Sequence, residues 1–318
     1  MLRRRRRELI AYDTSLDPIF DQIPEFAGRE LMVEDLEGGL TNRNLKVVAG
    51  DRAYVVRLWS DEGSLLSIDR DNEHESSLRA AAVGVGAPVI AYLPTHNALV
   101  IEFIEGRTLS SRDLRKGYPL ERVADAVRRL HSADEFPADF DMFEIQRTYL
   151  DLVTERGFRL PDRYREFEPR LSEVREALST HPEERVPCHN DLLAENFIDD
   201  GARLRLIDYE YAGNNEPSFE LGNIWSESNL SLDQLERLVA SYYGDSYYGD
   251  PRPDMVARAR LWGLMAKYGW TLWASIQDGV SDIDFDFWAW GMEKYERAVA
   301  EFESAELDGL LDRVRAGA

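Results

Sequence analysis

The chain has one cysteine, Cys188, among 318 residues, four lysines, Lys46, Lys116, Lys267 and Lys294, and no run of eighteen apolar residues. A single thiol cannot close an internal disulfide, which excludes a disulfide-held scaffold and suits a reducing compartment, so the expected location is cytoplasmic. The missing apolar run excludes an α-helical membrane span. Met1 to Arg7 is basic, but Glu8 to Asp13 follows where a secretory leader needs an apolar core and a small-residue cleavage site. That end reads as a solvated tail, with an arginine cluster for phosphate or anionic lipid as the alternative. Positive charge is scarce altogether: 38 Lys and Arg stand against 60 Asp and Glu, a net charge of −22. Nucleic-acid backbones need a broad cationic face, so this balance argues against them as partners and gives slight favour to a cationic small molecule.

Two phosphate-binding signatures are also missing. Glu37-Gly38-Gly39-Leu40-Thr41-Asn42 lacks the G-K-[ST] of a Walker loop, and a strand pattern rather than a helix follows it, which excludes a Rossmann fingerprint. What it does provide is a glycine turn between strands, where backbone amides and the Thr41 and Asn42 side chains can cover phosphates, with a plain hairpin turn as the alternative.

Alternation around Val33 to Leu36, then Leu45 to Val48 and Tyr54 to Leu58, predicts an antiparallel meander. A helix is expected over Asp69 to Val83, then strands over Val89 to Tyr92 and Leu99 to Ile104. Beyond Gly106 the apolar spacing turns to about 3.6, predicting helices over Leu120 to Ser132, Phe143 to Arg156, Tyr164 to Thr180, Leu232 to Tyr243, Met255 to Gln277 and Phe287 to Ala305. A short hairpin, Phe197-Ile198 and Leu204 to Ile207, turns at Asp199-Asp200-Gly201. The expected organisation is an N-terminal lobe over 1–105 and a helical C-terminal lobe over 106–318. Tyr-Tyr-Gly-Asp occurs twice between Ser241 and Asp250, read as a loop coincidence rather than a repeat.

The chemistry is carried by His189-Asn190-Asp191-Leu192-Leu193-Ala194-Glu195-Asn196, which has the H-x-D-L-x-x-x-N spacing of a kinase catalytic loop, with Asn190 where protein kinases place arginine. In that spacing Asp191 orients an acceptor hydroxyl and takes its proton, and the Asn196 amide oxygen reaches a magnesium ion. The hairpin returns the chain so that Asp208 ends beside the loop as the main metal ligand. Mg²⁺ takes oxygen ligands and keeps several waters, so one carboxylate and one amide are a normal protein share. His189 is accordingly read as a brace and Cys188 as a packed residue. Glu210 is either a second metal ligand or a surface carboxylate. Arg57 stands at the strand position where kinases carry a phosphate-binding lysine, and Glu73 on the next helix is its natural ion-pair partner.

These stretches, together with Asp69-Arg70, Glu102 to Leu109 and Ile207 to Gly213, occur in order and resemble the choline/ethanolamine kinase family, within the aminoglycoside-phosphotransferase-like kinases. The resemblance implies an α+β, bilobal protein-kinase-like fold with a small antiparallel sheet in the N-lobe and a mainly helical C-lobe. It implies ATP and Mg²⁺ between the lobes, with Gly39, Thr41, Asn42, Arg57 and Glu73 about the phosphates and adenine near Glu102 and Ile104. It also implies phosphorylation of a small amino alcohol, choline foremost or ethanolamine. Glu220 stands where the family more often has aspartate, which bears on how the catalytic loop is braced.

A quaternary ammonium offers no N–H, so proteins meet it with aromatic faces and a carboxylate. Trp270 and Trp273 lie one helical turn apart on one face. By resemblance to choline kinases, Trp270, Trp273, Tyr211, Phe285, Phe287 and Trp290 form the cage, with Glu227 as its acid; packing in a core is the alternative for any one of these rings. The competing functions are an aminoglycoside or methylthioribose-like sugar phosphotransferase of the same superfamily and a catalytically silent ligand-binding pseudokinase.

Overall fold

The computed structural model describes residues 14–36, 39, 41–60, 65–244 and 253–317. The arginine-rich start, Glu37, Gly38 and Leu40 of the glycine turn, and the second Tyr-Tyr-Gly-Asp lie outside them. The first lobe holds strands β1 (Leu31–Leu36), β2 (Asn42–Ala49), β3 (Arg52–Trp59), β4 (Val89–Leu93) and β5 (Ala98–Glu102), antiparallel in the order β1-β2-β3-β5-β4. Alternation sets the register: Leu45, Val47 and Ala49 point to one face, where they meet Val56, Ala98 and Val100. That face is covered by a segment with no strand or helix expectation attached to it, a short helix α1 (Asp17–Phe20) and the turn after it, which bring Leu16, Ile19, Phe20, Ile23 and Phe26 against the sheet. Helix α2 (Arg70–Ala82) starts where Asp69 accepts the N–H groups of Asp71 and Asn72, at 3.0 and 3.1 Å.

The second lobe contains α3 (Ser111–Arg115), α4 (Leu120–His131), α5 (Met142–Arg156), α6 (Glu168–Thr180), α7 (Pro217–Ser228), α8 (Leu232–Tyr243), α9 (Pro253–Val280), α10 (Phe287–Phe302) and α11 (Leu307–Ala316). Short strands β6 (Arg107–Thr108), β8 (Phe197–Asp199) and β9 (Leu204–Leu206) form one sheet, and β7 (Val186–Cys188) pairs with β10 (Gly213–Asn215). Helix α9 is the axis of the lobe and packs against α5, α7, α10 and α11. The expected antiparallel meander and the Phe197/Leu206 hairpin are both present.

Two differences from the sequence expectation have clear causes. The helix expected from Tyr164 opens as a 3₁₀ turn over Tyr164–Phe167, and the α-helix begins at Glu168, because Pro169 has no N–H and fits only a first helical turn. Helix α7 has no counterpart among the expected helices. Eleven of its residues are buried, Glu220 and Asn223 among them, so it shows no polar face and no 3.6 period to detect. Its close approach to α9 depends on glycine: a Cβ on Gly222 would lie 2.7 Å from the Gly263 nitrogen and against the Ala259 carbonyl.

Candidate active site

The catalytic loop runs from the end of β7 into the turn before β8, and its path is set by buried polar groups behind it. Asn190 adopts φ +67°, a left-handed conformation that asparagine tolerates better than most residues. Its side chain donates to the carbonyls of Tyr211 (3.0 Å) and Gly213 (3.1 Å) and accepts from Asn215 (2.9 Å), tying the loop to β10. Glu220 of α7 accepts the backbone N–H of His189 and of Asn190, both at 2.8 Å, and Asn223, one turn on, accepts that of Leu192 at 2.8 Å. Thus glutamate at 220 reaches the loop and braces it with both oxygens. Burial works to raise the Glu220 carboxyl, but His131, His189 and the loop amides outweigh it and hold the group below its ordinary value.

His189 donates from Nε2 to the Ile207 carbonyl at 2.8 Å, and this fixes the tautomer that leaves Nδ1 to accept from the Asp191 amide at 3.4 Å. The brace expected from the sequence is therefore there. Cys188 is buried with Sγ 3.5 Å from His131 Nε2 and 3.6 Å from the Asn215 carbonyl, a packed thiol that burial pushes upward.

Asp191 and Asn196 meet across the loop, with Asn196 Nδ2 donating to the Asp191 carbonyl at 2.8 Å. Because a carbonyl only accepts, the amide orientation is settled and the Asn196 oxygen is left for another partner. Asp208 also has a left-handed backbone, φ +73°, and lines the same cavities as Asn196. An amide oxygen and a carboxylate at one cavity wall are the donor set of a hard, oxygen-seeking cation, so the residues fit Mg²⁺. The Asp191 carboxyl is raised well above the ordinary range, first by burial and then by Glu227, Asp208 and Glu210; Lys294 works in the opposite direction.

On the other lobe, Arg57 reaches Glu73 at 3.4 Å, as the spacing predicted, and also Asp208 at 2.5 Å and Glu210 at 2.8 Å. Burial alone would lower the guanidinium; the three carboxylates more than reverse that, and its net shift is upward. Glu210 is enclosed by first-lobe donors: Thr41 Oγ1 at 3.0 Å, Asn42 Nδ2 at 3.0 Å, Arg57 at 2.8 Å and Arg70 at 3.5 Å. It is therefore not a surface carboxylate; it lines one cavity with Asn196 and Asp208 while bonded to these donors. It is the acid that fastens the glycine turn to the segment after β9 that carries Asp208. Asn72 adds a second tie between the lobes by donating to the Ala212 carbonyl at 2.7 Å.

Two cavities flank this line of groups. One, about 410 Å³, lies under the sheet and is lined by Gly39, Arg57, Glu73, Glu102, Phe103, Ile104, Asn196 and Asp208, which brings together five of the residues expected about a nucleotide; Thr41 and Asn42 are not on its wall and bond Glu210 instead. Gly106, which follows, packs on β8 so closely that a Cβ would stand 2.6 Å from the Asp199 carbonyl. The other cavity, about 380 Å³, is lined by Thr41, Asp191, Asn196, Asp208, Glu210, Tyr211, Glu227, Trp270, Trp273, Phe285 and Trp290, and also by Lys294. Its rings are mutually set: Trp273 Nε1 donates to Tyr211 Oη at 3.0 Å, Tyr211 meets Trp270 edge-on at 5.0 Å and Trp273 meets Trp290 at 5.5 Å. Phe287 is a correction. It is buried behind Trp273 and Phe285, at 5.8 and 4.9 Å, and is not on the cavity wall, because position 287 opens α10 with its side chain turned into the core.

Several residues at or around the site went unassigned in the sequence. Asn223 sits on the helix that had no visible period. Arg70, which pairs with Glu73 at 2.6 Å and lies over the Trp59 ring, was legible only as an i, i+3 acid–base pair. Lys294, four positions after Trp290, carried the signal of an i, i+4 cation–aromatic pair.

Residues 33–243 match the family model described as choline/ethanolamine kinase. Ethanolamine kinase 2 of Mus musculus is 27% identical over 301 residues, covering 86% of this chain and 77% of that protein. Among solved structures, a choline/ethanolamine kinase family protein from Mesorhizobium loti is 32% identical with a TM-score of 0.81, over 95% of this chain and 99% of that one. The choline kinase LicA from Streptococcus pneumoniae shares the fold, with 24% identity and a TM-score of 0.77 over 91% of this chain and 99% of that one. Matched by that family model over residues 33–243 and 32% identical over 95% of its length to the Mesorhizobium loti protein, this protein belongs to the choline/ethanolamine kinase family.

Proposed function

We propose that this chain transfers the terminal phosphate of ATP to the hydroxyl of a small amino alcohol, choline foremost, with Asp191 as the base. The observation that carries the reading is that the Asp191, Asn196 and Asp208 side chains line one cavity with Tyr211, Trp270, Trp273, Phe285 and Trp290, so phosphoryl chemistry and a cation-binding wall share one space. A LicA structure is a complex with AMP, which supports a nucleotide as the donor, and the cavity under the sheet is where we place it. There Glu102 and Ile104 border the base and Gly39, Arg57 and Glu73 border the phosphates, while Thr41 and Asn42, bonded to Glu210, hold the glycine turn beside that cavity. Mg²⁺, held by Asn196 and Asp208, would neutralise charge on the transferring phosphoryl group. Asp191 accepts the proton of the acceptor hydroxyl as oxygen attacks phosphorus; its burial and its anionic neighbours strengthen it as a base. The aromatic wall and Glu227 hold the ammonium end so that the hydroxyl faces Asp191.

One observation favours ethanolamine as a second acceptor: Glu227 Oε1 is buried without a hydrogen-bond partner, and a primary ammonium can donate to it where a quaternary one cannot. The test is coupled detection of ADP with choline, ethanolamine, methylthioribose and kanamycin as acceptors, for the parent and Asp191→Asn. The expected outcome is turnover dependent on choline or ethanolamine that falls by roughly 10²–10⁴-fold in the variant while nucleotide affinity stays level. Turnover with kanamycin or the sugar alone refutes the amino-alcohol reading, and undiminished turnover in the variant refutes Asp191 as base.

A further inference from the structure

The acceptor cavity already contains a cation of the protein's own. Lys294 leaves α10 one turn after Trp290, and its Nζ lies 4.0 Å from the centroid of the Trp290 ring. The same Nζ donates to Glu227 Oε2. Both side chains are almost wholly enclosed, 6% exposed for Lys294 and 2% for Glu227, and both line the cavity that holds Asp191. A carboxylate and an indole face are the two features by which proteins hold an ammonium group. Here a lysine from the chain itself engages both.

We propose that Lys294 is a resident occupant of the ammonium subsite, which a cationic acceptor must displace, so that this side chain sets how strongly the pocket prefers cations. The inference rests on the amino-alcohol reading of the same pocket and adds to it a specificity-determining residue. A buried carboxylate left without a partner is strongly unfavourable, and Lys294 supplies that partner before an acceptor arrives. An incoming ammonium therefore gains only the difference between its own contacts and those of the lysine, since selectivity is a difference between two bound states. Glu227 is equipped to take part in the exchange, because its second oxygen, Oε1, has no donor in the described structure. On displacement the lysine stays near Glu293 and Asn229, which line the same cavity and are themselves paired, Asn229 Nδ2 lying 3.4 Å from Glu293. With the lysine removed, Glu227 and Trp290 would become available to the acceptor alone.

The inference predicts that Lys294→Met binds choline about 10-fold more tightly than the parent, equivalent to about 1.4 kcal/mol. Affinity for 3,3-dimethylbutan-1-ol, the uncharged carbon isostere of choline, should change by less than about 2-fold, since it does not compete for Glu227. Both are read by quenching of tryptophan fluorescence, which the indoles in the cavity wall make sensitive to occupancy. Lys294→Gln, which keeps an amide donor toward Glu227, repeats the measurement without leaving a lone buried carboxylate and is expected to move in the same direction. Choline affinity that is unchanged or weaker in both variants, or a gain shared equally by the isostere, overturns the proposal. The binding comparison is independent of turnover: a parent that binds choline but transfers no phosphate to it refutes the proposed reaction and leaves the role of Lys294 to be decided by the affinities.

Discussion

Glu220→Ala isolates what the buried helix contributes to the catalytic loop. The carboxylate accepts two backbone N–H groups at 2.8 Å and is fully buried, so the substitution removes two hydrogen bonds to a charged acceptor and leaves both amides without water. At about 1.5–3 kcal/mol for each bond to a charged group, the expected loss of stability is roughly 3–6 kcal/mol, toward the lower end if the loop relaxes. The same bonds hold Asn190 at φ +67° immediately before Asp191, so their loss frees the loop to leave that conformation. A displacement of about 1 Å at a reacting group can cost roughly 100-fold in rate, and kcat should fall by that order with a smaller change in KM for the nucleotide. Urea unfolding gives the first quantity and steady-state kinetics on the folded fraction the second. Glu220→Asp shortens the reach by one methylene and is expected to fall between the two proteins. A Glu220→Ala protein that loses less than about 1 kcal/mol and keeps parental kcat would refute the idea that this carboxylate positions the loop.

Gly222→Ala should be among the most damaging small changes in the chain, because its Cβ would lie 2.7 Å from the Gly263 nitrogen and against the Ala259 carbonyl where α7 crosses α9. A loss of about 3 kcal/mol in thermal or urea unfolding is expected, with a matching fall in kcat because Glu220 and Asn223 ride on the same helix. Asp199 is a pH probe on β8: the Arg122 guanidinium at 2.7 and 2.9 Å, with help from Tyr118, holds its carboxyl down to about 2. In the unfolded chain that group titrates near 4, so its contribution is present above about pH 4 and is lost as pH falls through about 2. Asp199→Asn should therefore cost about 1 kcal/mol at neutral pH, and the gap between the two melting curves should narrow steadily through acid; a gap constant with pH refutes the ion-pair account.

The chain order of residues determined which chemistry is present. The spacing from His189 to Asn196, the return of the hairpin to Asp208 and the position of Arg57 before Glu73 are local facts, because each depends on a few residues of contiguous backbone or on one strand–helix step. The amphipathic helices and the alternating strands were legible for the same reason, a periodic pattern being the trace of one buried face. Helix α7 was not, since burial on every side erases the pattern. Only tertiary structure decided how distant segments share groups: that Glu210 is enclosed by Thr41, Asn42, Arg57 and Arg70 rather than lying on the surface, that Phe287 supports the aromatic wall from behind, and that Lys294 reaches Glu227 from another helix. The two charge pairings depend on which buried groups find one another across more than sixty residues of chain, as with Glu227 and Lys294 at a separation of 67, and the ring contact on how two helices pack. Such choices are made by three-dimensional packing and by the cost of leaving a buried charge unpaired, and neither leaves a mark in local spacing.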